Sequence, residues 1–415
     1  MKPRITSLWK KIPLYVAPVL FLASCQPLDE RLKPAEEFKL NAPADFDFAT
    51  IQELGITLAT KDKAGKAISV AAIGIYDKNP DDGGTLLYVT GTDETGTVND
   101  VSAIPAHLTS VFIENNIPGV SNVEVPIVNG KVEYTFTSPD LKNGRIAEIP
   151  VREYYGFNPT HAGYLMFEDQ WPKKGDFDLN DLVLKYNFVE TKPTSTTITK
   201  LTATFDVVAI GATYDNGFSL HFPKRPNIFG SDQVKSITLT VGGKERTAKV
   251  KYAGTGVIIE VLDKTDLTTD FFNTKAEGSC GVQAILTIEF KTAIPIGNVG
   301  IPPYDPFLKV FGTNREVHLV NKARTSDAEP LSNFADRDDV DGVYKDKTTG
   351  MPFALVVPSA GGFKFKVTTE NTPIHKSYTS FAKWANDGGS KLTTDTKAKE
   401  WYKYAGSGII NNTCK

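Results

Sequence analysis

Residues 176–188 read Asp-Phe-Asp-Leu-Asn-Asp-Leu-Val-Leu-Lys-Tyr-Asn-Phe, and the change of rhythm inside them decides the fold. Up to Asp181, oxygen-bearing side chains alternate with apolar ones. From there Leu182, Leu184, Tyr186 and Phe188 alternate with Val183, Lys185 and Asn187. Period two over such a length marks a strand with one face on a core. Val282, Ala284, Leu286, Ile288 and Phe290 repeat the pattern against Gln283, Thr287, Glu289 and Lys291, and similar strands are expected at Leu201 to Ile210, Ser236 to Val241, Val257 to Leu262 and Gly362 to Thr368. Nearer the N-terminus, Gly55 to Leu58, Ile68 to Tyr76 and Leu86 to Val89 are short and β-prone. Asp81-Asp82-Gly83-Gly84 and Asp93-Glu94-Thr95-Gly96 separate them, and strands with turns at this spacing predict a sandwich.

One helix is expected. Thr372 stands as N-cap with Pro373 in the first turn, Ile374, Tyr378, Phe381, Ala382 and Ala385 recur at helical spacing, and Gly388-Gly389 closes it. Trp384 then falls on the packed or flanking side of that helix. The 33 Gly and 25 Pro favour strands and turns elsewhere. The fold class is therefore all-β, with two β-sandwich-like domains, the C-terminal one larger and carrying one short packed helix.

The start of the chain reads as an export signal. Lys2, Arg4, Lys10 and Lys11 precede an apolar run from Ile12 to Leu22, and Leu22-Ala23-Ser24-Cys25 follows in the register of a lipobox, whose cysteine receives the lipid. A retained membrane helix is the weaker alternative, because the run falls short of the roughly 20 residues needed to span a bilayer and Pro13 and Pro18 interrupt it. Residues 1–24 are thus read as a lipoprotein signal peptide, 25–46 as a tether, 47–136 as a small β-sandwich spacer and 137–415 as a larger β-rich domain. The roughly 390 residues after the signal are more than one core commonly serves. A net charge of -3, from 46 basic and 49 acidic residues, gives no case for nucleic acid as a partner. With Cys25 assigned to lipid, Cys280 and Cys414 are left as a candidate disulfide in an oxidising compartment, or as two unrelated thiols.

The string IGIYDKNPDDGGTLLYVTGTDETGTV (73–98) resembles the small prealbumin-like, carboxypeptidase-regulatory-like β-sandwich of exported proteins, which implies a spacer role. Further along, GYLMFEDQWPKKGDFDLNDLVLKYNF, AIGATYDNGFSLHFP, NREVHLVNKA, GVYKDKTTGMPFALVVP and PIHKSYTSFAKWANDGG with WYKY after it resemble the LruC domain of bacterial envelope lipoproteins. These blocks cover most of residues 164 to 404. The resemblance implies a surface location and a β-rich fold, and it brings no catalytic residue.

The acidic loop 168–181 carries the most chemistry. In Asp176-x-Asp178-x-Asn180-Asp181, oxygen ligands fall at alternate positions after Gly175, and Glu168 or Asp169 can complete a shell. A calcium ion takes six to eight hard oxygens, and a tightly turning acidic segment can supply them. The pattern is not an EF-hand. Counting from Asp176, Asp181 stands where that motif needs glycine, and Asn187 where it needs a bidentate glutamate. The competing reading is a set of solvated Asx-turns with Lys173 and Lys174 neutralising part of the charge. A looser cluster, Asp336-Arg337-Asp338-Asp339-Val340-Asp341-Gly342, is read as a solvated turn, because Val340 sits where a third alternate ligand belongs.

No catalytic residue is assigned. Glu168 and Asp169 are adjacent and would point opposite ways in a strand, no G-x-S-x-G is present, and His318 beside Arg315 and Glu316 reads as a hydrogen-bonded packing residue. The expectation is a surface-exposed, outer-membrane lipoprotein with a Ca²⁺-stabilised binding or adhesion module. Its partners would be a membrane, through the N-terminal lipid, and a host, matrix or envelope protein or a glycan. A hydrolase of surface polysaccharide and a purely structural envelope component are the alternatives.

Overall fold

The computed structural model describes residues 37–411 apart from 70, 140–159, 212, 225–226, 268–270, 277, 335, 341 and 360–361. The basic start of the chain, the lipobox with Cys25, and Cys414 lie outside the described residues.

Strands β1 (Ile51–Asp62), β2 (Ala72–Tyr76), β3 (Leu86–Gly91), β4 (Thr97–Pro105), β5 (Ser110–Asn115), β6 (Val123–Pro126) and β7 (Lys131–Ser138) build two sheets, ordered β4-β1-β7 and β3-β2-β5-β6. Strand β7 runs parallel to β1, from Gly55 beside Lys131 to Asp62 beside Ser138. Alternate residues of β1 and β4 point inward, so Leu54, Ile56, Leu58, Val98 and Ile104 meet Ile73, Ile75, Val111 and Ile113 of the other sheet in one buried cluster. The strand expected from Ile68 begins only at Ala72, since the Ile68 backbone N–H turns back onto the Thr60 carbonyl.

The second part is larger. Strands β8 (Thr160–Phe167), β9 (Leu182–Thr191), β10 (Thr197–Ala209), β11 (Asn216–Pro223), β12 (Val234–Val241), β13 (Lys244–Arg246), β14 (Lys249–Ala253), β15 (Gly256–Leu262), β16 (Gln283–Pro295), β17 (Asp305–Val310), β18 (Arg315–Val317) and β19 (Ala354–Pro358) form two further sheets. Their orders are β13-β12-β16-β10-β9-β8-β19 and β14-β15-β11-β17-β18. The sheets face each other through aromatic side chains: Phe205 of β10 meets Phe218 of β11 edge-on, ring centres 4.8 Å apart, and Phe167 of β8 reaches the same ring at 6.3 Å. The alternation read in Leu182 to Phe188 and Ala284 to Phe290 is the buried face of this sandwich. The molecule is all-β, with sandwich-like sheets and a small helical region near the C-terminus.

That helical region departs from the sequence reading. In place of one helix there are three short ones, α1 (Ile374–Ser377), α2 (Ser380–Asn386) and α3 (Thr396–Lys399). The break falls at Tyr378, whose backbone leaves the helical region so that its hydroxyl donates to the Lys366 carbonyl at 2.6 Å and its ring stacks on Phe365. Pro373, not Thr372, is the N-cap, and the Thr372 hydroxyl pairs with Thr369 instead. The strand expected over Gly362 to Thr368 shrinks to β20 (Val367–Thr368), paired with β21 (Ile409–Ile410), and Gly362 itself has a left-handed backbone.

Trp384 is fully buried, as a packing residue should be, among Phe381, Trp401, Phe46 and Phe48. Leu40 and Phe46, in the stretch read as tether, are themselves buried, and the Leu40 backbone N–H donates to the Thr349 carbonyl at 2.8 Å. The aromatic cluster thus fastens residues 40–48 to the C-terminal segment. Trp401→Ala, which empties the centre of this cluster, is expected to destabilise the chain by about 3–5 kcal/mol in equilibrium denaturation.

Candidate metal centre

The acidic loop connects β8 to β9, and its shape follows from two apolar side chains that turn inward. Phe177 and Leu179 both have positive φ, 56° and 54°, and both are buried. Bulky residues seldom adopt this left-handed conformation, and each such residue costs on the order of 1–3 kcal/mol unless its surroundings hold it there. Here they do. The Phe177 carbonyl accepts the Ile374 N–H at 2.8 Å and its ring packs on Phe353, while the Leu179 N–H donates to Glu168 Oε1 at 2.6 Å. With the apolar residues fixed, Asp178 between them and Asp176 just before them turn toward Glu168.

Among the described residues, Glu168, Asp176 and Asp178 each bring a carboxylate oxygen to a common place, all within 4.8 Å of one another. Two ligands of one calcium ion, each bonded at 2.3–2.6 Å, lie at most about 5 Å apart, so one cation can reach all three. Glu168 is completely buried and its Oε2 has no hydrogen-bond partner. Gly175 is required beside it, because a Cβ there would run into that same oxygen. Asp178 accepts N–H bonds from Asn180 and Asn371, at 3.1 and 2.8 Å, and its backbone carbonyl accepts the Thr368 hydroxyl.

The other expected ligands sit around this group of three rather than in it. Asn180 donates its amide to the Thr368 carbonyl at 3.1 Å and leaves a buried Oδ1 unpartnered; Gly211 passes so close that a Cβ would strike it. Asp181 Oδ2 accepts the Asp169 N–H at 2.7 Å, and Asp169 Oδ2 accepts the Asn216 amide at 2.7 Å. Adjacent Glu168 and Asp169 face different neighbours, although both lie just past the end of β8 and not in a strand as the sequence reading had them.

Electrostatically the cluster is uncompensated. Burial, and after it the charges of Asp181, Asp178 and Asp176, push the Glu168 carboxyl well above the usual carboxylate range. Burial and Asp176 raise Asp178 from 3.8 to about 8, and Glu370 adds to the effect. Burial and Asp169 raise Asp181. Burial also raises Asp169, although the Asn216 amide and Arg315 oppose it. Lys173 and Lys174, which the competing reading took to neutralise part of the charge, are exposed, and neither is among the main groups shifting Glu168, Asp178 or Asp181. The arrangement of converging hard oxygens, two of the three on buried side chains, suits a structural cation.

Residues far along the chain complete the surroundings, and the sequence reading had missed them: Asn216, Arg315, Thr368, Glu370 and Asn371. Local spacing carries no sign of them, since the fold brings them in from 47 or more positions away. The looser cluster differs from its reading too. Asp336 is exposed and Asp341 lies outside the described residues, but Asp339 is buried, accepts the Gly342 N–H at 2.7 Å and pairs across an isolated bridge with Asp346. A wholly solvated turn is therefore incorrect. Cys280 is disulfide-bonded, to a partner outside the described residues.

Residues 196–402 match the family described as "Domain of unknown function (DUF4842)", and residues 52–136 match "Domain of unknown function (DUF8469)". No curated protein matches the chain. Among solved structures, it is similar to BcpA, the major pilin subunit of Bacillus cereus, with 9% identity, covering 64% of this chain and 67% of that one at a TM-score of 0.18. The full-length pilus protein RrgB from Streptococcus pneumoniae follows with 10% identity, 64% and 48% coverage and a TM-score of 0.15. The major pilin SpaA of Corynebacterium diphtheriae gives 9%, 74% and 68% with a TM-score of 0.17. At TM-scores this low the likeness says nothing of function.

His318 is a hydrogen-bonded packing residue, as its sequence context suggested, but a charged one. It stacks on Phe307, its Nδ1 faces Asp305 at 2.9 Å and its Nε2 faces Glu316 at 3.1 Å, while Asp305 also meets His221 at 2.9 Å. Burial pushes the imidazole down, but Asp305 and Glu316 outweigh it and hold it at about 9. Because the folded value lies above the unfolded 6.5, the stabilisation is complete below pH 6.5 and is lost as pH rises through about 9. Denaturant melts at pH 6 and pH 9.5 are expected to differ by on the order of 3 kcal/mol from this group, and His318→Gln to flatten that difference.

Proposed function

We propose that the chain is a non-catalytic, calcium-stabilised module displayed on a bacterial cell surface by an N-terminal lipid at Cys25, and that the module serves adhesion to a host, matrix or envelope protein or a glycan. One observation carries the metal: a fully buried glutamate, Glu168, aims an unpartnered oxygen at two aspartates with no basic side chain among the groups that shift its proton affinity. A hard divalent cation relieves the repulsion and supplies the missing partner at once. The ligands would be Glu168, Asp176 and Asp178, with Asn180, Asp181 and Asp169 supporting them.

The cation would act on shape. The loop is bonded to residues 368–374 through Asp178, Asn180 and Phe177, so closing the loop around an ion also fixes the segment that leads into α1. Buried acids of this kind cannot straddle a sugar, which argues against the hydrolase alternative. The lipobox register and the LruC-like blocks support the surface address. No helix among the described residues is long and apolar enough to cross a membrane.

Calorimetric titration of the chelator-treated chain with calcium chloride is expected to show binding with a Kd of about 10⁻⁴ to 10⁻³ M. At a concentration about 100 times Kd, calcium should stabilise the fold by about 2.7 kcal/mol, seen as a rise of several degrees in melting temperature. No heat and an unchanged melting temperature at about 100 mM calcium, roughly 100 times the weakest Kd expected, would remove the metal. Glu168→Gln and Asp178→Asn should abolish the calcium-dependent shift while leaving the calcium-free chain at least as stable as wild type, because each removes a buried repelling charge. Gly175→Ala should weaken calcium binding by displacing the Glu168 carboxylate, which the same titration measures.

A further inference from the structure

Where the small sandwich meets the large one, a lysine is buried. Lys192 follows directly on β9, its side chain is 5% exposed, and its Nζ lies 2.5 Å from Oδ1 of Asp100 on β4, whose side chain is 1% exposed. Lysine is almost never buried this deeply without a specific partner. The same Nζ is 2.6 Å from the Tyr88 hydroxyl, which donates to Asp100 Oδ2 at 2.8 Å, and the Thr90 hydroxyl donates to that oxygen at 3.1 Å. Glu190 precedes Lys192 by two residues on the same strand face, is itself buried, and lies close enough to both partners for their charges to act on it in opposite senses. His161 borders the group, 4.0 Å from Glu190, and its ring stacks on Tyr88.

An amine held against a carboxyl, out of water, with a second carboxyl beside them, is arranged for condensation. We propose that Lys192 and Asp100 join in an intramolecular isopeptide bond that covalently ties the two sandwiches together. The ion pair first becomes a neutral amine and carboxylic acid by passing one proton across the short hydrogen bond. Nζ then attacks Asp100 Cγ. The Nζ–Cγ bond forms, and the charge that develops on Oδ2 is met by the Tyr88 and Thr90 hydroxyls already aimed at it. Glu190, protonated, delivers its proton to Oδ1 as the Cγ–Oδ1 bond breaks and one water leaves, and it recovers the surplus proton from nitrogen. No oxidant, reductant or outside reactant enters: amine plus acid gives amide plus water.

Neutral forms are the ones that the surroundings prefer. Burial raises Glu190 to about 7, against the pull of Lys192, so it can hold a proton near neutral pH. Burial lowers His161 to about 4, with Lys192 acting the same way, which keeps the imidazole uncharged.

The full chain, purified and reduced so that the disulfide at Cys280 does not contribute, is digested and its peptides are weighed. The expected result is a branched species joining the Asp100 and Lys192 peptides, lighter than their sum by the mass of one water, and the intact chain lighter by the same amount. Lys192→Arg keeps the positive charge but cannot form this bond, and should give the full linear mass together with a lower melting temperature. Glu190→Gln should retain the fold, checked by circular dichroism, and show the linear mass or much slower conversion. Only linear Asp100 and Lys192 peptides from the wild-type chain would overturn the bond, leaving an ordinary buried ion pair. A cross-link that forms undiminished in Glu190→Gln would overturn the proton relay assigned to Glu190.

Discussion

Burying the Glu168 carboxylate beside two aspartates is the constraint to which the surrounding structure answers. Gly175 lacks a side chain because that carboxylate occupies the space, and Phe177 and Leu179 take left-handed conformations so that the residues between them face it. The backbone of the loop is then held from outside, by Thr368, Asn371 and Ile374. Three short helices and a two-stranded sheet at the C-terminal end are thereby tied to the large sandwich through the same few bonds.

Three of the places where ionisable groups are buried differ in how their charge is met, and the contrast among these three gives the acidic loop its meaning. His318 sits between Asp305 and Glu316, so its charge is matched within the protein. Lys192 and Asp100 match each other across the boundary between sandwiches. Around Glu168 the neighbours are acids, with Arg315 acting on Asp169 alone from the far side of the pair. A fold that neutralises two of its buried centres and leaves the third in excess of negative charge has the electrostatic character of a cation receptor there.

Strands were legible where one face is apolar and the other polar, because the period of two survives any tertiary context, and Leu182 to Phe188 is the clearest case. Strand β11 carries the same period of two in Phe218-Ser219-Leu220-His221-Phe222 but over only five residues, and it drew no reading as a strand; the structure buries its polar residues along with its apolar ones. The helical spacing of Ile374, Tyr378 and Phe381 was real, yet the continuous helix was not, since the bond from the Tyr378 hydroxyl to Lys366 is a tertiary demand with no local trace. The acidic loop announced itself by alternating oxygens. Its supports at Asn216, Thr368 and Glu370 could not be found from spacing, nor could the meeting of Asp100 with Lys192, which lie 92 positions apart. Asp339 was misjudged because a run of acids looks solvated, whereas here the chain turns back within seven residues to bridge Asp339 with Asp346 and both are buried.

At the rims of the large sandwich, β13 is Lys244-Glu245-Arg246, wholly exposed, and β14 carries exposed Lys249, Lys251 and Tyr252. Charged residues on an unpaired strand discourage another chain from adding to the hydrogen-bond ladder. Copies crowded together would therefore slide past one another along these two edges instead of zipping into fibres, and each would keep its broad faces available.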